Sequence, residues 1–105
     1  MKINQFIQEY RRIETISPDV TSCHTPHIRC RDGFTMSVQA GPSLYSSPGT
    51  IADHYELVEV GRVSAHVPEL KEYEDGSVFP FVPCSVVDKV IDNHGGIVLS
   101  RRLYS

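Results

Sequence analysis

Residues 27–40 read His-Ile-Arg-Cys-Arg-Asp-Gly-Phe-Thr-Met-Ser-Val-Gln-Ala, and this stretch decides the fold. Apolar and polar residues alternate on both sides of Asp32-Gly33, a dipeptide that favours the tight turn of a β-hairpin. The pattern therefore predicts two antiparallel strands joined at that turn. The side chains expected to face the core are Ile28, Cys30, Phe34, Met36, Val38 and Ala40.

Helical patterns lie on either side of this hairpin. Apolar residues at positions 3, 6, 7, 10 and 13 follow the period of an amphipathic helix, which predicts a helix over residues 2–14 that ends before Pro18. Near the C terminus, Ser85 and Asp88 have the spacing of a capping box and predict the start of a second helix. Gly95-Gly96 predicts its left-handed end. The apolar face of that helix is expected to comprise Val86, Val87, Val90 and Ile91.

The remaining chain reads as loops and short strands. Residues 41–53 are rich in Pro, Gly and Ser and predict a loop, followed by a strand over 55–63 and a helical turn over 67–73. Residues 78–82 predict a strand in which Pro80 lies at a sheet edge or a bulge, because proline cannot donate to a ladder. A last short strand over 97–99 precedes a solvated Arg101-Arg102. We therefore expect one α+β domain over residues 1–105, with a small antiparallel sheet of three to five strands and helices near both termini.

Composition limits the function classes. The 105 residues carry a net charge of −3, with well-mixed signs, which is not the basic footprint of a nucleic-acid-binding protein. The start has no apolar run of signal-peptide length, and three cysteines are too few for a disulfide framework. These features favour a cytoplasmic protein, without membrane or nucleic-acid partners.

One cluster has ligand types that suit zinc: Cys23, His24, His27 and Cys30. A structural zinc finger, however, separates two pairs of ligands by ~12 or more residues, whereas these four fall in one short segment. We therefore expect core packing for Cys30 and surface positions for the histidines, with zinc as the weaker alternative. No cofactor is predicted.

A nucleophilic site has little support in the sequence. Cys84 at the start of the second helix is expected to have a pKa lowered by the helix dipole, and His94 is a conceivable partner. The two residues stand at opposite ends of one predicted helix, ~15 Å apart at 1.5 Å per residue, so they cannot touch. Cys84 is therefore predicted to pack in the core, and the protein is predicted not to be an enzyme.

A polar set offers the best candidate for a ligand or partner surface: Ser37, Gln39, Tyr45, Ser46, Ser47 and Glu59. If the predicted strands pair, these residues share one outer face of the sheet and the adjoining loop. The alternative is that they form the ordinary solvated face of a half-buried sheet.

Several segments together resemble a family of small uncharacterised phage and prophage proteins. They are Met-Ser-Val-Gln-Ala at 36–40, Tyr-Ser-Ser-Pro at 45–48, Val-Glu-Val-Gly at 58–61, Val-Pro-Glu-Leu at 67–70 and His-Gly-Gly at 94–96. The chain departs from that pattern at Gly49, where the family carries Arg. The resemblance implies a phage or prophage setting in the bacterial cytoplasm and no defined activity.

Three functions follow as hypotheses. The first is a non-enzymatic binding protein that modulates or inhibits a host protein, in a counter-defence role of the anti-CRISPR kind. The second is a sponge for a nucleotide signal or another small ligand, and the third is a zinc-binding or hydrolytic protein.

The strand over 78–82 is apolar on both faces. Alternation places Phe79 and Phe81 together in the core and leaves Val78, Pro80 and Val82 for a homodimer or another partner. Val82→Glu is then expected to weaken association and leave the fold intact.

Overall fold

A computed structural model describes residues 1–99 of the chain, so the predicted tail at Arg101-Arg102 lies outside the described residues. Helix α1 spans Ile3–Tyr10 and buries Ile3, Phe6 and Ile7. It is shorter than predicted because the backbone is already extended at Arg11, whose guanidinium donates a 2.7 Å hydrogen bond to the carbonyl oxygen of Ala52. This contact ties the end of the helix to the loop of residues 41–53.

The chain after α1 forms a hairpin that the periodicity analysis missed. Strand β1 (Arg12–Ser17) pairs antiparallel with β2 (Val20–His24) across a turn at Pro18-Asp19. Ile13 therefore belongs to an exposed strand instead of the helical stripe. Residues 12–17 include two isoleucines and a threonine, which are β-branched and favour extended backbone over helix.

The central sheet has four antiparallel strands in the order β3-β4-β5-β6. They span Ile28–Arg29, Thr35–Gln39, Leu57–Gly61 and Val78–Pro83. The hairpin predicted at Asp32-Gly33 is confirmed, with Ile28 opposite Met36. Gly33 has a φ of +93°, which glycine adopts readily, and the Asp32 carboxylate accepts a 2.9 Å hydrogen bond from the Phe34 amide. Pro80 lies on β6, an edge strand, as predicted.

A six-residue 3₁₀ helix (Pro68–Tyr73) precedes β6, and α2 (Cys84–Asn93) follows it directly. The predicted N-cap at Ser85 is wrong, because the cap position is Pro83 and no side chain caps the helix. Asp88 instead accepts a 2.8 Å hydrogen bond from the backbone amide of Ile3, at the start of α1. The carboxylate thus satisfies a free amide of a different helix. Gly95 and Gly96 have φ values of +92° and +91°, as the predicted left-handed end requires.

One hydrophobic cluster joins the sheet to both helices. All six residues that alternation assigned to the core of the hairpin are buried: Ile28, Cys30, Phe34, Met36, Val38 and Ala40. From α2, Val87, Val90 and Ile91 enter the same cluster, while Val86 is half-buried at its margin. Residues 97–99 form an isolated bridge between Ile97 and Cys30 instead of a full strand. The α+β architecture with a helix near each end is therefore as predicted. Within residues 1–99, no helix has the length and apolar character needed to cross a membrane.

Candidate functional site

Two members of the predicted polar set have structural roles below the surface. Ser37 and Gln39 are both buried. The Gln39 amide oxygen accepts a 2.8 Å hydrogen bond from the Thr25 amide, and its nitrogen donates to the Thr25 carbonyl oxygen at 2.7 Å and to Ser37 Oγ at 2.9 Å. The side-chain amide of Gln39 therefore bonds to the backbone after β2 in the way that a neighbouring strand would, through one donor and one acceptor. Its polar atoms are already engaged within the chain.

The two serines of the set organise the loop of residues 41–53. Ser46 is buried, and its hydroxyl accepts from the Gly41 amide at 3.0 Å and donates to the Pro48 carbonyl at 2.9 Å. Ser47 pairs through its backbone, donating to the Leu57 carbonyl at 2.9 Å and accepting from the Glu56 amide at 2.9 Å. These contacts fasten the loop to the start of β5.

Tyr45 and Glu59, the last two members of the set, reach the surface. The Tyr45 side chain is 53% exposed, and the Glu59 carboxylate accepts a 3.2 Å hydrogen bond from the Tyr45 amide. On its other side, the Tyr45 carbonyl accepts a 3.2 Å hydrogen bond from the amide of Phe81. The rings of Tyr45 and Phe81 lie 5.7 Å apart between centroids and are tilted by 59°. We call Tyr45 and Phe81 together the aromatic patch.

Phe81 is exposed because β6 carries a bulge. Val58 lies opposite Val82 and Val60 lies opposite Phe79, so β6 has one more residue than β5 over this interval. The extra residue breaks the alternation of side chains across the two faces. The prediction that Phe79 and Phe81 are both buried is therefore wrong: Phe79 is half-buried, but Phe81 is 47% exposed.

The bulge also corrects the interface predicted from residues 78–82. Val82 is fully buried in the core, so it does not lie on an exposed face with Val78 and Pro80, which are both half-buried. A charge at that position would enter the core, and Val82→Glu is now expected to disrupt the fold. The exposed apolar side chain of this strand is Phe81.

The backbone at Phe81 is unusual. Its φ of +53° falls in the left-handed region, where a bulky side chain crowds the backbone and is rarely found. Such conformations cost of order 1–3 kcal/mol and persist only where the surroundings impose them. Here the Phe81 amide is held by Tyr45 while the strand on both sides is held by β5. Alternation alone gave no sign of this conformation, although Pro80 marked the strand for an edge or bulge.

Two of the four candidate zinc ligands, Cys23 and His24, are adjacent on β2, whereas His27 precedes β3 and Cys30 follows it. Cys23 and Cys30 are buried, on β2 and after β3, while His24 and His27 are exposed. Burial raises the pKa of both thiols, and the Asp32 charge adds to the effect at Cys30. Across residues 1–99, no three His, Cys, Asp or Glu side chains are grouped so that they could hold a metal ion.

Cys84 and His94 occupy opposite ends of α2, as expected. Burial first, then the charges of Asp88 and Glu56, raise the pKa of the Cys84 thiol to about 11. The expectation of a pKa lowered by the helix dipole is thus overturned. His94 stacks on Phe34 with 4.1 Å between ring centroids, and its Nδ1 lies 2.6 Å from the Asp32 carboxylate. The histidine therefore links the end of α2 to the turn of the central hairpin.

An open depression of about 460 Å³ lies elsewhere on the surface. Its lining comprises residues 63–67 together with Lys71, Glu74 and Phe79. None of the six residues of the predicted polar set lines it. The small-ligand hypothesis therefore gains no support from the position of this depression.

Three exposed apolar side chains were missed because the first hairpin was missed. Ile13, Ile16 and Val20, all on β1 and β2, are exposed, and Ile16 is the most exposed of them at 68%. The β-branched residues between positions 12 and 17 were the available signal, together with the Pro18-Asp19 turn.

No protein-family model, curated protein or solved structure matches this chain.

Proposed function

We propose that this protein works as a non-enzymatic binding module, which docks on another protein through the aromatic patch of Tyr45 and Phe81. The observation that carries the proposal is the position of Phe81, which stands half-exposed on a left-handed backbone beside an equally exposed tyrosine. Strained residues cluster at functional sites, where the conformation presents a side chain that regular geometry would hide.

The energetics of the patch suit a binding surface. Burying a large apolar side chain in an interface contributes about 1.5–3 kcal/mol, similar to the cost of the strain that exposes it. Aromatic residues also dominate the energetic centres of protein interfaces, because each gives a large contact area with few rotatable bonds. Glu59, hydrogen-bonded to the Tyr45 amide, adds a carboxylate beside the rings and favours a partner with a basic or amide group there.

The partner class follows from the resemblance to small phage and prophage proteins. We propose a host protein of the bacterial cytoplasm as the partner, with inhibition of a defence system of the CRISPR kind as the specific role. The alternative of a nucleotide sponge has less support, because Ser37, Gln39 and Ser46 already use polar atoms in contacts within the chain.

The test compares the wild type and its variants as baits in one capture experiment. Tagged wild-type protein, Phe81→Gly and Tyr45→Ala are each used to capture proteins from a bacterial lysate. Arg62→Gly is the matched control, because Arg62 is also exposed with a positive φ of +49° but lies beyond the far end of β5. We expect the wild type and Arg62→Gly to retain the same protein, and the two patch variants to retain at least tenfold less, equivalent to about 1.4 kcal/mol.

Hydrogen exchange then locates the contact. With the captured protein purified and added back, amides around residues 45 and 81 should exchange more slowly than in the free chain. Equal capture by all four baits, or no capture by any, contradicts the proposal. So does protection confined to other segments.

A further inference from the structure

Within residues 1–99, both outer edges of the β1–β2 hairpin lack a paired strand. Its sheet contains these two strands only, and no other described strand joins it. A two-stranded hairpin in water is marginally stable by itself, and an uncovered strand edge is a template for pairing with another chain. The apolar side chains of Ile13, Ile16 and Val20 are exposed on it. The hairpin therefore has the features of an incomplete sheet.

We propose that β1 pairs antiparallel with β1 of a second copy of this chain, around a two-fold axis at Ile13. The result is a four-stranded sheet shared by two protomers, in the order β2-β1-β1-β2. This inference is independent of the proposed function, because the aromatic patch lies on other elements.

Charge complementarity selects both the occupant and the register. With Ile13 on the axis, Arg12 of each copy stands opposite Glu14 of the other, and both pairs lie on one face. An axis at Arg12 places two arginines opposite each other, and an axis at Glu14 places two glutamates opposite each other. An axis between Ile13 and Glu14 puts isoleucine against carboxylate. Only the axis at Ile13 matches both charged residues of β1 with opposite charges.

The apolar face of the hairpin supports the same register. Ile13 lies opposite Cys23 within the hairpin, and Cys23 is buried with its side chain close to Gly41. Ile13 and Cys23 therefore share one face of the hairpin, and this face is buried at Cys23 but exposed at Ile13. In the proposed dimer its neighbour is the same isoleucine of the second copy. Each copy contributes the same surface, so the assembly closes at two chains.

The edge of the central sheet at β6 is the competing place for strand pairing, and it is protected. Pro80 and Pro83 cannot donate hydrogen bonds, and the bulge at Phe81 distorts the strand. Strand β1 contains no proline, and its register shift lies between Thr15 and Ser17, outside the residues 12–14 that the proposed pairing matches. Of the edges of β6 and β1, that of β1 is therefore the less protected against pairing with a second copy.

A charge-swap experiment tests the pairing. The wild type, Arg12→Glu, Glu14→Arg and the double variant with both substitutions are compared by sedimentation equilibrium up to millimolar concentration. We expect a wild-type dimer whose dissociation constant rises about tenfold in each single variant, because two symmetric cross-strand pairs change from attraction to repulsion together. The double variant should regain the wild-type constant. Phe81→Gly should leave it unchanged, which separates this test from that of the proposed function.

Circular dichroism verifies that the exposed substitutions leave the fold intact, and hydrogen exchange at residues 12–15 locates the contact. A wild type that stays monomeric at millimolar concentration overturns the proposal. A dimer that responds equally to single and double charge changes, or whose protection lies outside residues 12–15, overturns it as well. The proposal is also contradicted if the chain stays monomeric and residues 12–15 are protected from hydrogen exchange only when a different protein is added.

Discussion

The side-chain amide of Gln39 forms hydrogen bonds to both backbone polar groups of Thr25, at 2.8 and 2.7 Å. Both residues are buried, so water does not replace these bonds. The amide acts as one more rung of the sheet, joining β4 to the segment that connects the outer hairpin with β3. These two bonds therefore help to fix the position of the β1–β2 hairpin.

Gln39→Leu tests this dependence. The substitution keeps a similar volume but leaves the amide and carbonyl of Thr25 buried without partners, at about 1–3 kcal/mol for each group. We expect a loss of about 3 kcal/mol in the free energy of unfolding, measured by urea denaturation. Gln5→Leu is the control, since the Gln5 amide bonds only to the exposed Glu9, and it should change stability by less than about 0.5 kcal/mol. Equal effects of the two variants would contradict the role given to Gln39.

The second prediction concerns pH. The pKa of the Asp32 carboxyl is held below its ordinary value of 3.8, first by the Phe34 amide and then by His94. Because the folded pKa is depressed, the stabilisation is present above that ordinary value and is lost as the pH falls through the folded pKa. Asp32→Asn keeps the turn and removes the charge. The stability difference between wild type and variant should shrink as the pH falls below 3.8. A difference that does not change down to the acid transition would count against the assignment.

The third prediction concerns Cys84. With a pKa of about 11, its thiolate is about one part in a thousand at pH 8. In the folded chain, Cys84 should react with a thiol-labelling reagent at least a hundredfold more slowly than in urea-unfolded chain. Mass spectrometry resolves this site from Cys23 and Cys30, which are also buried. Labelling of native Cys84 at the unfolded rate would restore the idea of an activated thiol.

The sequence was sufficient to predict the central hairpin and the presence of both helices. Alternation around Asp32-Gly33 indicates a hairpin, and the glycine pair at 95–96 indicates the end of a helix. Strands β1 and β2 were missed for a definable reason. Ile13 falls on the helical stripe that begins at Ile3, and Pro18 reads equally well as a helix stop or as a hairpin turn. The β-branched content of residues 12–17 was the signal against a helix.

The candidate site was predictable only in part. Tyr45 and Glu59 were selected from the sequence and lie together at the surface. Phe81 was not, because its exposure depends on a bulge held by the carbonyl of Tyr45, a contact between segments distant along the chain. Likewise, Gln39 and Ser46 looked like surface groups, since periodicity does not reveal that a connecting segment covers the outer face of β4.

The last prediction separates two neighbours on β6. Phe81→Gly removes an exposed ring and releases a left-handed backbone that glycine adopts without crowding. The released strain, of order 1–3 kcal/mol, opposes the roughly 1 kcal/mol by which the freedom of glycine favours the unfolded chain, so stability should stay constant or rise by up to about 2 kcal/mol. Val82→Ala instead leaves a cavity in the core and should cost about 2 kcal/mol. Urea denaturation of both variants measures the contrast. If Phe81→Gly loses as much stability as Val82→Ala, the ring of Phe81 supports the fold, and its exposure is not a device for binding.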